Sequence, residues 1–310
     1  EAPMRTKLTL GVAAVAVLAL TACGGPAGTT SSEAPEEPAE TGAATEHPYG
    51  LEVAEAPEFE AGTTMAELAE AGSITIGTKF DQPLFGLVGP DGAPEGFDVA
   101  VGSLIAAELG IPFEGIQWEE TVSANRETFI ENGTVDLVAA TYTINDARKE
   151  KIDFAGPYYE AGQALMVLAG NPEGLTGPDD VSGLQVCSVE GSTPAARIVD
   201  EYGAVLNATD TYSNCLDPLR NGQVVAVTTD NVILAGFVDQ NAGEFELVDG
   251  GATFTQEPYG LGIEKGDDEF RTFINDVLEE AVADGTMASL WEQTAGAVLP
   301  TPEFPAPDRY

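Results

Sequence analysis

The feature that most constrains this chain is an alternation, over residues 73–295, between short apolar runs of strand length and segments whose apolar residues recur at helical spacing. Ser73-Ile74-Thr75-Ile76-Gly77 reads as a strand closed by glycine, and Val101, Leu104, Ile105 and Leu109 then repeat on one helical face until Gly110 stops the helix. A strand near Phe113–Trp118, a helix from about Ala124 to Glu131 and the fully apolar run Val135–Ala139 come next. The second half repeats the rhythm, with strands at 163–168, 184–188 and 224–228 and helices from Pro194, near Cys215 and from Asn231. Helices at 267–284 and 286–295 close the series. Such alternation places helices over mostly parallel sheets, so an α/β fold is expected.

What precedes this unit reads as an address. Arg5 and Lys7 stand before an apolar stretch from Leu8 to Leu20, which ends in Leu20-Thr21-Ala22-Cys23. A basic start, an apolar middle and small residues at a cut site are the parts of a secretory signal peptide. The stretch is shorter than the roughly 20 residues a bilayer-spanning helix needs. The run ending in Cys23 looks like a lipoprotein signal, which predicts a signal peptide over residues 1–22, cleavage before Cys23 and a diacyl lipid on its sulfur. Residues 1–3 precede Met4, which reads as the start, and are set aside. Residues 23–60, rich in Ala, Glu, Pro, Thr, Gly and Ser, show no apolar period and are expected to form a solvated, disordered tether. The proline-rich tail at 300–310 is expected to be irregular.

Charge narrows the partners. The chain holds 52 Asp plus Glu against 12 Lys plus Arg, so nucleic acid and anionic lipid headgroups are disfavoured. Each cation retained in so acidic a chain is therefore informative. One histidine, His47, lies in low-complexity sequence, which argues against histidine-based catalysis, and no metal or cofactor site is called for. With Cys23 lipidated, Cys187 and Cys215 remain as a pair in an exported, oxidising setting, which predicts one disulfide, two buried thiols being the alternative.

Three motifs at strand ends carry the chemistry. Ala140-Thr141-Tyr142-Thr143-Ile144-Asn145-Asp146-Ala147-Arg148 follows the run Val135–Ala139, at the end of an α/β sheet where ligands bind. Its hydroxyls and the planar fork of Arg148 suit a carboxylate; Arg148, Lys149 and Lys151 as a solvated basic face is the competing reading. Gly191-Ser192-Thr193-Pro194 opens a helix, with Ser192 and Thr193 able to cap and the free N–H groups of the first turn able to meet an anion. Asp230, in Val227-Thr228-Thr229-Asp230-Asn231, could hold an ammonium group or cap the following helix. Two anion clamps and one cation clamp describe a site for an α-amino acid.

These segments, together with Ile76-Gly77-Thr78-Lys79-Phe80-Asp81-Gln82-Pro83, Gly96-Phe97-Asp98-Val99, Asn132-Gly133-Thr134-Val135-Asp136 and Phe154-Ala155-Gly156-Pro157-Tyr158, resemble family 3 of the bacterial extracellular solute-binding proteins, and within it the glutamate-binding lipoproteins of Gram-positive ABC importers. The resemblance runs in order from about residue 63 to 296. It implies a two-lobed, type II periplasmic-binding-protein fold with two hinge crossings and a ligand cleft between the lobes. Lobe 1 is expected at 60–160 plus 259–299, and lobe 2, holding Cys187 and Cys215, at 161–258.

It also implies roles. Arg148, Thr143, Thr193 and Ser192 take the α-carboxylate, Asp230 and the backbone of Thr141 the ammonium, and Phe80 and Tyr142 wall the aliphatic part, core packing being an equal reading for Phe80. Lys79 and Arg126 stand where related dicarboxylate binders neutralise a distal carboxylate, surface pairing with nearby acids being the alternative, and Tyr212 adds a hydroxyl from lobe 2. The expected protein is a monomeric, non-catalytic receptor for an acidic or polar amino acid, glutamate before aspartate, glutamine or asparagine. It is expected on the extracellular face of the cell membrane, lipid-anchored and serving a permease with a separate ATPase subunit. A dehydratase-like enzyme and a sensor module are the alternatives.

Overall fold

The computed structural model describes residues 47–90 and 92–310. The expected signal peptide, Cys23 and the first part of the expected tether lie outside the described residues. In chain order the fold runs α1 (Thr64–Ala71), β1 (Ile74–Thr78), β2 (Asp81–Gln82), β3 (Gly86–Val88), β4 (Pro94–Glu95), α2 (Phe97–Glu108), β5 (Ile116–Glu120), α3 (Arg126–Glu131), β6 (Leu137–Val138), α4 (Asp146–Lys149) and β7 (Asp153–Ala161). It continues with β8 (Gln163–Leu168), β9 (Gln185–Val189), α5 (Thr193–Asp200), β10 (Val205–Thr209), α6 (Leu216–Arg220), β11 (Ala226–Asp230), α7 (Asn231–Gln240) and β12 (Phe245–Leu247). The last elements are β13 (Glu257–Ile263), α8 (Asp268–Asp284) and α9 (Thr286–Thr294).

Two five-stranded sheets form the two lobes, in the orders β5-β1-β6-β13-β7 and β10-β9-β11-β8-β12. Strand β1 pairs in parallel with β5 and β6, as β9 does with β10 and β11. In contrast to the mostly parallel sheets expected, β13 runs against β6 and β7, and β8 runs against β11 and β12. The reason is the crossing between lobes: β7 carries the chain out, β13 brings it back, and a returning strand laid beside the outgoing one must oppose it. Gly162 is the only residue between β7 and β8, and a Cβ there would stand 2.5 Å from the Thr255 carbonyl oxygen, so this close crossing requires glycine.

Helix α2 is buried over nearly its whole length, which its mostly apolar sequence dictates, with Asp98 and Ser103 buried in it. Around it an aromatic cluster packs edge to face, with Phe97 and Trp291 rings 5.0 Å apart and Phe85 6.1 Å from Phe97. Residues 47–60, read from composition as tether, lie instead on this lobe. His47 meets Phe113 edge to face at 5.4 Å, the Tyr49 hydroxyl accepts from Gly96 N, and Ala54 N donates to the Ala107 carbonyl. Three apolar side chains, Tyr49, Leu51 and Phe59, pack on the core, which a compositional average over a polar segment conceals. The tail at 300–310 has no regular structure but is anchored: Asp308 N donates to the Gly156 carbonyl and Phe154 N to the Tyr310 hydroxyl, covering the edge strand β7.

Cys187 on β9 and Cys215 before α6 form a disulfide with Cα atoms 5.6 Å apart. Closing a loop of this size stabilises the folded state by about 3 to 4 kcal/mol on the chain-entropy model. The double substitution Cys187→Ser with Cys215→Ser is expected to lower the unfolding free energy by about that amount in urea titrations, with a steeper slope because the unfolded chain freed of its cross-link exposes more surface.

Candidate functional site

Carboxyl ends of parallel strands from the two sheets face one another, β1 and β6 from one lobe and β9 and β11 from the other. After β6 the chain makes a tight turn at Thr141, whose φ of 44° is left-handed and disfavoured for a β-branched residue. Asp98 holds it there. Its buried carboxylate accepts from Thr141 N at 2.7 Å and from the Tyr158 hydroxyl at 2.5 Å, while Thr141 Oγ1 donates to Gln82 Oε1 at 2.9 Å. Burial pushes Asp98 up to about 7.

Beyond this turn Asn145 caps α4 by accepting from Arg148 N, which fixes the helical turn that carries Arg148. The guanidinium donates to the Thr143 carbonyl at 2.6 Å and, across the cleft, to the Gly191 carbonyl at 3.1 Å, and its Nε lies 3.4 Å from Glu127. Arg148 is buried, so the reading of a solvated basic face fails for it; Lys151 alone of that run is exposed. Burial lowers the Arg148 pKa to about 10, which leaves the guanidinium charged at neutral pH.

Arg126 is also buried, and it donates to the carbonyls of Ser123, Ala140 and Thr141. Lys79, 3% exposed, donates from Nζ to Ser123 Oγ at 2.9 Å. Desolvation drives the Lys79 pKa well down, and the neighbouring Arg126 and Arg148 push the same way. Lys79 and Arg126 therefore do not form the surface pairs weighed as their alternative. Three cations are thus buried together on one lobe of a chain that has only 12 Lys plus Arg, Arg126 lining the space between the lobes while Lys79 and Arg148 lie outside that lining.

The opposite lobe supplies Ser192, which caps α5 by accepting from Ala195 N at 3.1 Å, and Thr193 beside it. Thr193 Oγ1 stands 3.4 Å from Thr143 Oγ1 and donates to Glu257 at 2.8 Å. Gly191 has φ 76°, and a Cβ on it would lie 2.8 Å from Ala124 Cα, so glycine lets this loop reach the other lobe. Asp230 ends β11 at the N-cap of α7 but makes no cap bond. One oxygen accepts from the Tyr259 hydroxyl at 2.6 Å, and the other is buried without a partner. Desolvation first and Glu257 second raise its pKa to about 7, against the lowering effect of the Tyr259 bond.

Ser123, Arg126, Thr141, Thr143, Ser192, Thr193, Tyr212, Asp230 and Ile233 are among the residues lining the space between the lobes, which at about 10 Å³ holds roughly one water. The lobes are shut on each other, so entry of an amino acid requires hinge opening. Neither expected aromatic wall lines this space. Tyr142 is fully buried, its ring 4.8 Å from that of Phe154 and lying beneath the guanidiniums of Arg126 and Arg148 at 4.0 and 4.8 Å. It is a platform for two cations rather than a wall for a ligand. Phe80 is half-buried outside the lining. Ser123, Asp98, Glu257 and Tyr259 escaped sequence reasoning, although Asp98 lies in a segment noted there.

Known proteins share this arrangement of lobes. The chain is 42% identical over 255 residues, covering 80% of itself and 87% of the relative, to the glutamate-binding protein GluB of Corynebacterium efficiens. To the ABC transporter glutamine-binding protein GlnH of Bacillus subtilis it is 34% identical over 234 residues, 74% of this chain and 84% of that one. Its fold matches a solute receptor for L-cysteine from Neisseria gonorrhoeae with a TM-score of 0.71 at 27% identity, over 76% of this chain and 95% of the receptor. These relatives are binding proteins, not enzymes. The model of one family covers residues 74–296, and the chain belongs to that family, the bacterial extracellular solute-binding proteins, family 3.

Proposed function

We propose that this protein is the receptor of an ABC importer and closes its two lobes on an acidic amino acid, glutamate by preference. The observation that carries the reading is the polarity of the cleft: Lys79, Arg126 and Arg148 lie buried on one lobe, and the unpartnered oxygen of Asp230 lies on the other. Arg148, Thr143 and the start of α5 at Ser192 and Thr193 take the α-carboxylate. Asp230 takes the ammonium, with the Thr141 carbonyl and the Tyr212 hydroxyl nearby. Lys79 and Arg126 meet the distal carboxylate, whose charge restores the protonated form of Lys79 that burial disfavours. The relatives that bind glutamate and glutamine support this ligand class.

Ligand contacts from both lobes favour the closed state by their differential energy. Cys23 carries a diacyl lipid after removal of residues 1–22, which keeps the receptor at the outer face of the membrane near its permease and separate ATPase. Titration calorimetry with glutamate, aspartate, glutamine and asparagine tests the ligand class: heat is expected with glutamate, and no heat with any of the four refutes it. Lys79→Met is expected to weaken glutamate by about 1.5 to 3 kcal/mol, the range for a hydrogen bond to a charged group, and glutamine by much less. Equal weakening of both removes Lys79 from the distal site.

A further inference from the structure

Strand β13 returns the chain from the second lobe to the first, and two of its buried side chains bond residues that line the cleft. Glu257, 1% exposed, accepts from Thr193 Oγ1 at 2.8 Å, from Arg197 Nη1 at 2.5 Å and from Thr255 Oγ1 at 3.0 Å. Two residues on, and so on the same face of the strand, fully buried Tyr259 donates its hydroxyl to Asp230 at 2.6 Å. The same stretch of β13 is bonded by its backbone to the turn that holds Thr143: Thr143 bridges Tyr259, Ile144 N donates to the Pro258 carbonyl at 2.8 Å, and Gly260 N to the Tyr142 carbonyl at 3.0 Å. One crossing strand is thus tied to the anion clamps of both lobes and to the cation clamp.

We propose that Glu257 and Tyr259 are positioning residues of the amino-acid site, holding Thr193 and Asp230 from the hinge so that clamp geometry and lobe closure move as one unit. The inference rests on the receptor reading above. It also sets the direction of a hydroxyl chain. Because Thr193 gives its proton to Glu257, its Oγ1 presents lone pairs to the cleft, and the donor left for a ligand carboxylate at the start of α5 is the Thr193 N–H, since Pro194 has none and Ala195 N donates to Ser192 Oγ.

Asp230 is faced by Glu257 and Tyr259 from β13, Tyr159 from β7, Tyr212 ahead of α6, Arg126 from α3 and Arg148 from α4. Of the two β13 groups, Tyr259 stabilises the carboxylate by its hydrogen bond and Glu257 destabilises it by like charge. Removing one or the other therefore moves the titration of Asp230 in opposite directions.

The full-length protein is titrated with L-glutamate by calorimetry from about pH 5 to about pH 9, with dissociation followed by stopped flow, for the wild type, Tyr259→Phe and Glu257→Gln. Each variant is expected to lose about tenfold in affinity, chiefly through faster dissociation. The pH at which affinity falls on acidification moves up in Tyr259→Phe and down in Glu257→Gln. Wild-type affinity in both variants, or weakened binding with no movement of either midpoint, overturns the proposal, because a purely structural role shifts neither. Should Glu257→Gln fail to fold, the single oxygen removed in Tyr259→Phe decides the matter. A wild type that binds none of the tested amino acids overturns the receptor reading and this inference with it, whereas a wild type that binds while both variants match it overturns the inference alone.

Discussion

Arg148→Ala is expected to abolish binding of every amino acid, whatever its side chain. Removing one member of a buried charge pair costs about 2 to 5 kcal/mol, a loss of about 30-fold to several thousand-fold in affinity. The residue is 6% exposed and spans the cleft from the Thr143 carbonyl to the Gly191 carbonyl, so its truncation removes charge and an interlobe contact together. Arg148→Lys separates these effects, since an ammonium keeps the charge but cannot bridge two acceptors as a planar fork does. Calorimetry with glutamate and glutamine reads the result, and circular dichroism melts establish that the variants are folded. Retained binding of either ligand by a folded Arg148→Ala protein removes Arg148 from the α-carboxylate.

Asp230→Asn carries the second large effect. The substitution keeps the shape and deletes the charge, and the loss is again about 2 to 5 kcal/mol. Its pH signature is specific. With a pKa of about 7 in the closed, ligand-free form, Asp230 is increasingly protonated as pH falls through that value. A ligand ammonium stabilises the carboxylate and lowers its pKa in the complex, so binding releases a proton below about pH 7 and wild-type affinity weakens on acidification. Affinity in Asp230→Asn is weak and lacks this fall on acidification, by calorimetry in a series of buffers, while any loss of affinity on raising the pH, the sign expected from Lys79, is retained. A wild-type profile without the fall on acidification shows that Asp230 does not meet the ammonium.

Part of this site is readable along the chain because its pieces are local. The run Val135–Ala139 marks a buried strand, so the polar stretch behind it falls at a strand end, and Ser192 announces a helix by capping chemistry that acts over three residues. Cys187 and Cys215 pair by counting. What escaped is non-local. Glu257 meets Thr193 across 64 positions of sequence, Asp98 meets Thr141 across 43, and Tyr259 meets Asp230 across 29. No periodicity encodes such pairs. The docked segment at 47–60 was hidden for another reason: three well-spaced apolar side chains hold it, too few to raise the mean hydropathy of its surroundings.

Local chemistry in this sequence was therefore enough to place strand ends, helix caps and the charged groups that follow them, because each depends on neighbours a few residues away. It could not choose the direction of β13 and β8, the burial of Tyr142 beneath two guanidiniums, or the grip of β13 on both clamps. Those outcomes depend on which surfaces meet once the lobes form, and long-range packing selects among strand pairings that look equal to the chain itself. The cleft's opposed charges were legible residue by residue; that one crossing strand holds them in register is a property of the folded whole.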